Sequence, residues 1–328
     1  MSSILIRTPN WIGDAVMSMP FIKGVLLQKA KYDLILLTRP HLVELFALLE
    51  SDRIRIICEP GKMKFIKTAS LLPSGIEKAF TLSPAFSAAF PLFLKGISPI
   101  FGMISRDSRF FLKGGVNIHE DDFRKSHLTN SFLSLLEKAG MENLAGRPAL
   151  RVDKEVYKLF GVNEKRYYIV APAAMYGKTK MWPVENFSRT VSGLFSTTRM
   201  KAVILGGPND APLGDEIAAS AAEGAIINLA GRTTISQASS MMAGAAFTIA
   251  NDSGLMHLSY INGTRTFAVF GSTSPQWTGP LFDSTVFYSN RDCSPCFRRV
   301  CPLGHYGCLK DIEPEEVINK ILEEMKIV

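Results

Sequence analysis

Short apolar runs of strand length alternate with longer amphipathic stretches over most of this chain. Ile4–Ile6 precedes a helical pattern that runs through Val16 and Val25. The alternation starts again at Tyr167–Ala171, after a glycine- and proline-containing stretch, Gly140–Asp153, that has the character of a linker. Such alternation indicates βαβ units on parallel sheets. The two runs predict two doubly wound α/β domains, which are Rossmann-like.

Length supports this division, because 328 residues exceed what one ordinary core accommodates. We predict an N-terminal domain over residues 1–155 and a C-terminal domain over 156–328, facing each other across a ligand-binding cleft. The polar segment Ser105–Thr129 breaks the pattern. It predicts a long loop near a site.

Composition bounds the class of protein. Hydrophobic residues make up 47% of the chain and charged residues 20%, which is typical of a globular protein. No apolar run reaches the roughly 18–20 residues that span a bilayer, and no leader pattern precedes Ile4, so we expect a cytoplasmic location. The net charge of +7 fits a nucleotide, a nucleic acid or an anionic membrane surface, or has no consequence for partners.

The first candidate motif is Thr8–Asp14, which directly follows the first predicted strand. Asp14 stands at a strand-to-helix turn, on the sheet edge where ligands of such folds bind. A carboxylate there can take a proton from an attacking sugar hydroxyl. The alternative is that Asp14 is a helix cap.

The most specific motif is Ala250–His257, which joins a predicted buried strand to a helix. Ser253 and Gly254 open the helix, so that free N–H groups can meet an anion. Asp252 can hold sugar hydroxyls, and His257 lies one turn further on the same helix face as Ser253. The alternative for His257 is a structural role.

A basic segment, Ala171–Pro183, follows the first strand of the second half. Small residues there let backbone N–H groups approach an anion. We predict that Lys180 contacts a phosphate, whereas Lys178 reads as a solvated surface lysine.

Three further strand-end turns carry weaker signals. Gly206–Asp210 suggests either a nucleotide close to the backbone or a plain turn capped by Asp210. Leu229–Thr234, with Gly231 and Thr233, would flank a nucleotide base or form a loop. Gly271–Pro275 could add hydroxyl and N–H donors to the same site, or be a capped turn.

These motifs, in this order, resemble the lipopolysaccharide heptosyltransferases of glycosyltransferase family 9, which build the inner core from ADP-heptose. The segments Arg7–Ala15 and Cys293–His305 carry the most specific similarity, and it is to the heptosyltransferase II type. The resemblance covers nearly the whole chain. It implies the GT-B architecture of two Rossmann-like domains, with the final helix, Pro314–Lys326, returning towards the first domain.

The resemblance also implies roles. Asp14 matches the proposed catalytic base of an inverting transfer that needs no metal. Donor-binding positions are then those that match the family signature or flank the nucleotide: Lys180, Asp252, Ser253, Gly254, His257, Gly231 and Thr233. The donor would be ADP-heptose and the acceptor a lipid A–Kdo–heptose, on the cytoplasmic face of the inner membrane. A family member with another acceptor, of type I or III, stays open, and we expect a monomer.

Acceptor contacts are predicted at four positions: Lys62, Lys64, Asn10 and Gly13. The two lysines belong to a basic stretch with Met63, Phe65 and Ile66 that could meet phosphates or the membrane surface. The alternative is a solvated helix face.

Four of the five cysteines cluster near the C-terminus, at Cys293, Cys296, Cys301 and Cys308. Such a cluster could hold a structural zinc ion, and free thiols or a disulfide are the alternatives. A basic chain with four cysteines could also be a zinc-dependent nucleic-acid-binding protein. The sequence shows no basic recognition helix, so we expect no nucleic-acid partner.

Overall fold

The computed structural model describes residues 2–61, 63–120 and 123–326. The chain divides into two compact units, Met1–Arg151 and Val152–Val328. This division falls close to the predicted boundary between residues 155 and 156.

A six-stranded parallel sheet organises the first unit, in the order β3-β2-β1-β4-β5-β6. Its strands are β1 Ser3–Arg7, β2 Asp33–Thr38, β3 Ile54–Cys58, β4 Ile76–Thr81, β5 Ile100–Ile104 and β6 Gly114–Asn117. Its helices are α1 Ile12–Met17, α2 Met19–Leu26, α3 Val43–Ala47, α4 Phe65–Leu71, α5 Phe86–Leu94 and α6 Leu128–Lys138.

The central strand β1 shows why the sequence reads as continuous apolar runs. Ile4, Leu5 and Ile6 are all fully buried, since helices cover both faces of a doubly wound sheet. On one face Leu5 packs in a cluster with Leu37 of β2 and Leu92 of α5.

The prediction of a long loop over Ser105–Thr129 is wrong. The segment contains the strand β6, a 3₁₀ helix at Arg109–Phe111 and the start of α6. The strand was missed because it begins with Gly114 and Gly115, and glycine is depleted in strands. A Cβ at Gly115 would lie 1.8 Å from the carbonyl oxygen of Gly102 on β5, so this pairing leaves no room for a side chain.

The second unit repeats the plan. Its six parallel strands lie in the order β12-β11-β10-β7-β8-β9. They are β7 Tyr167–Ala171, β8 Lys201–Ile204, β9 Ile226–Asn228, β10 Phe247–Asn251, β11 Arg265–Phe270 and β12 Ser284–Tyr288. Its helices are α7 Glu155–Leu159, α8 Val184–Thr198, α9 Ala211–Ser220, α10 Ile235–Gly244, α11 Gly254–Ile261, α12 Pro275–Thr278, α13 Gly307–Lys310 and α14 Pro314–Met325.

The final helix, α14, packs against α8. Its apolar stripe contributes Val317 and Ile321, both fully buried, to the core of the second unit. Pro314 opens the helix as the sequence indicates. Its predicted return towards the first domain stays a prediction.

Counted from its own first strand, each sheet has the same order, 3-2-1-4-5-6. In that order the chain turns in opposite directions on leaving the first and fourth strands, so that a crevice forms outside their carboxyl ends. The two Rossmann-like α/β units predicted from the sequence are therefore confirmed. The turns that follow β1, β4, β7 and β10 are where ligand-binding residues belong. Among the described helices, none combines the length and apolar character needed to cross a membrane.

Candidate active site

In the second unit, an ion pair joins the two turns at the crevice. Lys180 lies in the 3₁₀ helix Lys178–Lys180 after β7, and Asp252 directly follows β10. The Nζ atom of Lys180 lies 2.5 Å from Oδ2 of Asp252, and both side chains are largely buried. The hydroxyl of Thr273, in the turn after β11, donates to the same Oδ2 atom at 2.5 Å. Three strand ends thus meet at one carboxylate, which we call the Asp252 cluster.

A buried amide fixes the position of the basic segment. The Oδ1 atom of Asn251, at the end of β10, accepts a hydrogen bond from the backbone N–H of Trp182 at 3.0 Å. The Asn251 amide also donates to the carbonyl of Pro172. The indole of Trp182 in turn donates to the carbonyl of Ile312 at 3.0 Å. Lys180 is therefore held by its neighbours, and Asn251 is a positioning residue that we did not predict.

The helix α11 begins beside this cluster. Ser253 precedes it in extended conformation without capping it, so the first N–H groups of α11 have no side-chain cap. The hydroxyls of Ser253 and Ser272 are buried and have no hydrogen-bond partner among the described residues. Because leaving a buried hydroxyl unpaired costs about 1–3 kcal/mol, these groups are suited to a polar ligand.

His257 lies one turn into α11 and is buried. Its Nδ1 atom is 3.2 Å from the hydroxyl of Tyr260, and the two rings meet edge to face. Burial raises the pKa of Tyr260, so this hydroxyl stays protonated over the physiological range. Tyr260, on the same helix, thus contributes to the orientation of the histidine ring.

Gly231 and Thr233 follow β9. Gly231 adopts a positive φ of 75°, and its N–H donates to the carbonyl of Gly206 at 2.9 Å. Asp210 accepts a hydrogen bond from the N–H of Gly207 at 2.8 Å, which closes the Gly206–Asp210 turn. A nucleotide close to this turn stays a prediction. Within the described chain, no hydrogen bond or ion pair joins Gly231 or Thr233 to the Asp252 cluster.

In the first unit, Asp14 lies in the first turn of α1 and is partly buried. The residue at the cap position is Trp11, and Asp14 is the third residue of the helix. Asp14 is therefore an acid of the first helical turn and does not occupy the cap position itself. An acidic group in this position still benefits from the helix dipole.

A buried charge network holds the turn that leads to Asp14. Glu59 forms ion pairs with Arg7, at the end of β1, and with Arg39, which follows β2, the latter at 3.0 Å. Asn10 accepts hydrogen bonds from both guanidinium groups, at 2.8 Å and 3.3 Å. Burial lowers the pKa of the fully buried Arg7, and the charge of Glu59 opposes that shift. Asn10, predicted to contact an acceptor, thus has its side-chain oxygen engaged in fixing its own loop.

Two of the other predicted acceptor residues, Gly13 and Lys64, have no side-chain hydrogen bond or ion pair with the described residues. Gly13 lies within α1 and is partly buried. Lys64 is exposed and immediately precedes α4. Lys62 lies outside the described residues.

All five cysteines are free thiols. Burial and the neighbouring cysteines raise the pKa of Cys308 to about 11, whereas backbone hydrogen bonds from Tyr306 and the residues around it lower that of Cys301. Across residues 2–61, 63–120 and 123–326, no group of three or more His, Cys, Asp or Glu side chains is arranged to hold a metal ion. The expectation of a structural zinc ion thus finds no support in the arrangement of these thiols.

Two doubly wound α/β units define a class of protein by fold, the two-domain proteins of the GT-B type, and solved structures agree. The E. coli ADP-heptose lps heptosyltransferase II matches 99% of this chain with 99% of its own, at a TM-score of 0.84 and 21% identity. An E. coli heptosyltransferase with ADP matches 99% of this chain with all of its own, at a TM-score of 0.74 and 15% identity. These likenesses concern the fold.

The family follows from the sequence itself. Residues 75–307 match glycosyltransferase family 9 (heptosyltransferase). The lipooligosaccharide heptosyltransferase 2 of Campylobacter jejuni is 28% identical over 97% of this chain and 98% of its own length. This chain belongs to glycosyltransferase family 9, and the resemblance found from its motifs is confirmed. It is an enzyme, which sets aside the non-enzymatic alternative.

Proposed function

We propose that this enzyme transfers heptose from ADP-heptose to the heptose of the lipopolysaccharide inner core, with inversion at the anomeric carbon. The observation that carries the proposal is the Asp252 cluster at the switch point of the second sheet, in a chain of this family. The relatives named above support the heptosyltransferase II reaction. Transfer to a different acceptor, of the type I or III reactions, is the second candidate.

The donor diphosphate would bind at the start of α11. The uncapped N–H groups of the helix and the hydroxyls of Ser253 and Ser272 offer it hydrogen bonds, and Lys180 offers positive charge. These groups would stabilise the charge that develops on the leaving ADP, so no metal ion is required for that step. Asp252 and His257 would meet the sugar or ribose hydroxyls.

Asp14 would act on the acceptor. An acceptor hydroxyl attacks the anomeric carbon of the heptose, the bond from that carbon to the diphosphate oxygen breaks, and ADP leaves with the bonding electrons. Asp14 takes the proton of the attacking hydroxyl. Asn10 and the Arg7–Glu59–Arg39 network would keep the turn before Asp14 in place.

Replacement of the base tests this assignment. We expect Asp14→Asn to lower transfer by about 10²–10⁴-fold, because general-base catalysis contributes that much. ADP binding, measured by calorimetry, should stay within about twofold of wild type if Asp14 does not touch the nucleotide. Asp52→Asn, an exposed acid of the same unit, is the matched control and should keep full activity.

If Asp14→Asn transfers heptose as fast as wild type, Asp14 is not the catalytic base. If the variant no longer binds ADP, Asp14 belongs to the donor site instead.

Two acceptors separate the type II from the type I reaction. One ends before the first heptose of the inner core, and the other ends after it. We place the reaction on the cytoplasmic face of the inner membrane, as a monomer, which fractionation and sedimentation of the native protein test.

A further inference from the structure

Exposed apolar side chains concentrate on one part of the first unit. They lie on α4, α5 and the 3₁₀ helix at Arg109–Phe111, or directly beside them. We call this surface the α4–α5 patch and define it by Met63, Ile66, Leu71, Phe86, Phe93, Leu94 and Phe110. Ile66 is 80% exposed, and Met63 and Phe110 are each 74% exposed. A patch of this kind marks an interaction surface, because monomeric proteins seldom leave large apolar side chains clustered in water.

The patch rests on a cluster of packed aromatic rings. Phe65 of α4 contacts Phe90 of α5 at 5.3 Å, and Phe93 of α5 contacts Phe111 at 5.2 Å between ring centroids. Phe86 and Phe90 stack at 4.8 Å. These contacts hold α4, α5 and the 3₁₀ helix together, so packed rings support the exposed side chains from below.

The helix α5 is apolar on both sides. Ala88, Ala89 and Leu92 are buried, whereas Phe86, Phe93 and Leu94 on the outside are exposed. A helix at a water-facing surface normally carries charges on its outer face. Phe86–Leu94 contains no charged residue. This indicates that an apolar partner covers the outer face of α5 in the working enzyme.

Cationic residues predominate beside the patch in the sequence, where Asp107 is an exposed acidic neighbour. The segments 63–72, 85–96 and 108–113 contain five cationic residues and no acidic one. The cations are Lys64, Lys67, Lys95, Arg109 and Lys113. An apolar face with a basic rim fits an anionic lipid surface, where acyl chains take the side chains and headgroups take the charge.

A second copy of the chain fits this surface less well. A symmetric interface would bring two copies of these five cations into one contact region, and like-charge contacts there are unfavourable. A shallow cavity of about 370 Å³ adjoins the patch and is lined by Phe93, Phe110, Phe111 and Lys113 among others. Its aromatic side chains and its lysine match the same lipid chemistry.

We infer that the α4–α5 patch docks the enzyme onto an anionic phospholipid bilayer. The inference deepens the proposed function, since a lipid-anchored acceptor lies in such a surface. It stands apart from the chemistry, because none of the patch residues belongs to the proposed base or donor site.

Vesicle binding tests this inference without any lipopolysaccharide. The full-length protein is sedimented with vesicles of phosphatidylethanolamine and phosphatidylglycerol, and with vesicles of phosphatidylcholine alone. We expect binding to the first kind, weakened in high salt, and little binding to the second. Absence of binding to anionic vesicles, or equal binding to both kinds, would overturn the proposal.

Paired variants locate the surface. Ile66→Ser with Phe110→Ser should weaken binding about tenfold or more, because both side chains would leave the acyl region. The matched control, Leu159→Ser with Leu303→Ser, removes comparably exposed side chains from the second unit and should have no effect. Lys64→Glu with Lys67→Glu should weaken binding at least as much, and Lys29→Glu with Lys31→Glu should not.

Two further readouts separate the possible failures. Transfer to an acceptor from which the acyl chains have been removed should be unchanged in the variant that combines Ile66→Ser with Phe110→Ser. If no heptose transfer occurs on any acceptor, the proposed function fails while docking can still hold. If the patch variants change the oligomeric state and leave vesicle binding intact, the patch is an interface between copies and the docking proposal fails.

Discussion

Two lysines on one 3₁₀ helix differ sharply in surroundings. Lys180 is paired with Asp252, whereas Lys178 is exposed and has no ion pair among the described residues. We therefore expect Lys180→Met to weaken ADP binding about tenfold or more, since a charge-assisted contact to phosphate would be lost. Lys178→Met is the matched control and should bind ADP as wild type does. Calorimetric titration of both variants measures the difference, and equal affinities would argue against Lys180 as a phosphate ligand.

Glu59 is the carboxylate that pairs with both arginines of the buried network in the first unit. Glu59→Gln leaves the fully buried Arg7 without its carboxylate, and we expect a loss of about 3–5 kcal/mol in the free energy of unfolding. Glu77→Gln breaks a more exposed pair with Lys78 and should cost less than about 1 kcal/mol. Urea denaturation of both variants checks this. A small effect at Glu59 would mean that water reaches the arginines.

The sequence was sufficient for some of these residues and insufficient for others. Lys180 and Asp252 could be predicted because each occupies a strand-end turn, and the fold brings such turns together. Arg7, Arg39 and Glu59 could not, because their pairing joins three separate strands and no local spacing announces it. The one available signal was that Arg7 directly continues the apolar run Ile4–Ile6, where a charged residue needs a partner if it is buried. Asn251 could not be predicted either, because its partners, Trp182 and Pro172, belong to a separate segment of the chain.

At the scale of elements, α14 is tied to the second sheet by charge. Glu324 of α14 pairs with Arg265 of β11 and accepts a hydrogen bond from Thr285 of β12 at 2.8 Å. Burial alone would raise the pKa of Glu324, but the hydrogen bonds from Arg265, Thr285 and Lys320 outweigh it and lower that pKa. A lowered pKa means that the stabilisation is present above the pKa of the unfolded chain, about 4.3, and is lost as pH falls below it.

Glu324→Gln tests this tie. We expect the variant to be less stable than wild type at neutral pH, by an amount that shrinks as the pH falls below about 4. Thermal unfolding at a series of pH values measures the gap. Glu316→Gln, an exposed position on the same helix, is the control. A gap that stays constant with pH would show that the ion pair is not its cause.

Most elements could be predicted because apolar periodicity reports burial, and both faces of a doubly wound sheet are buried. The exception, β6, shows the limit. Gly114 and Gly115 contribute nothing to an apolar pattern, yet the close approach of β5 requires small residues there. Steric demands between strands are set by tertiary contact, so a pattern read along one segment misses them.

For the whole molecule, ligand binding should act unequally on the two units. We expect ADP to slow hydrogen exchange around Lys180–Trp182 and Asn251–His257, because a ligand stabilises the states that bind it. At about 100 times the dissociation constant the gain is about 2.7 kcal/mol for openings that destroy the site. Amides of β2 and β3 serve as the internal control. Equal protection throughout, or none in the second unit, would contradict the assignment of the donor site.

The shared strand order of the two units has a consequence for how such a protein can evolve. Each unit has its own sheet, its own buried core and its own polar edge, so mutations in the turns of one leave the framework of the other intact. Under the proposed division of acceptor and donor sites between the units, a lineage could explore new acceptors by varying the turns after β1 to β4 while the donor site stays fixed. Divergence within such a family would then appear first in the turns of the amino-terminal half.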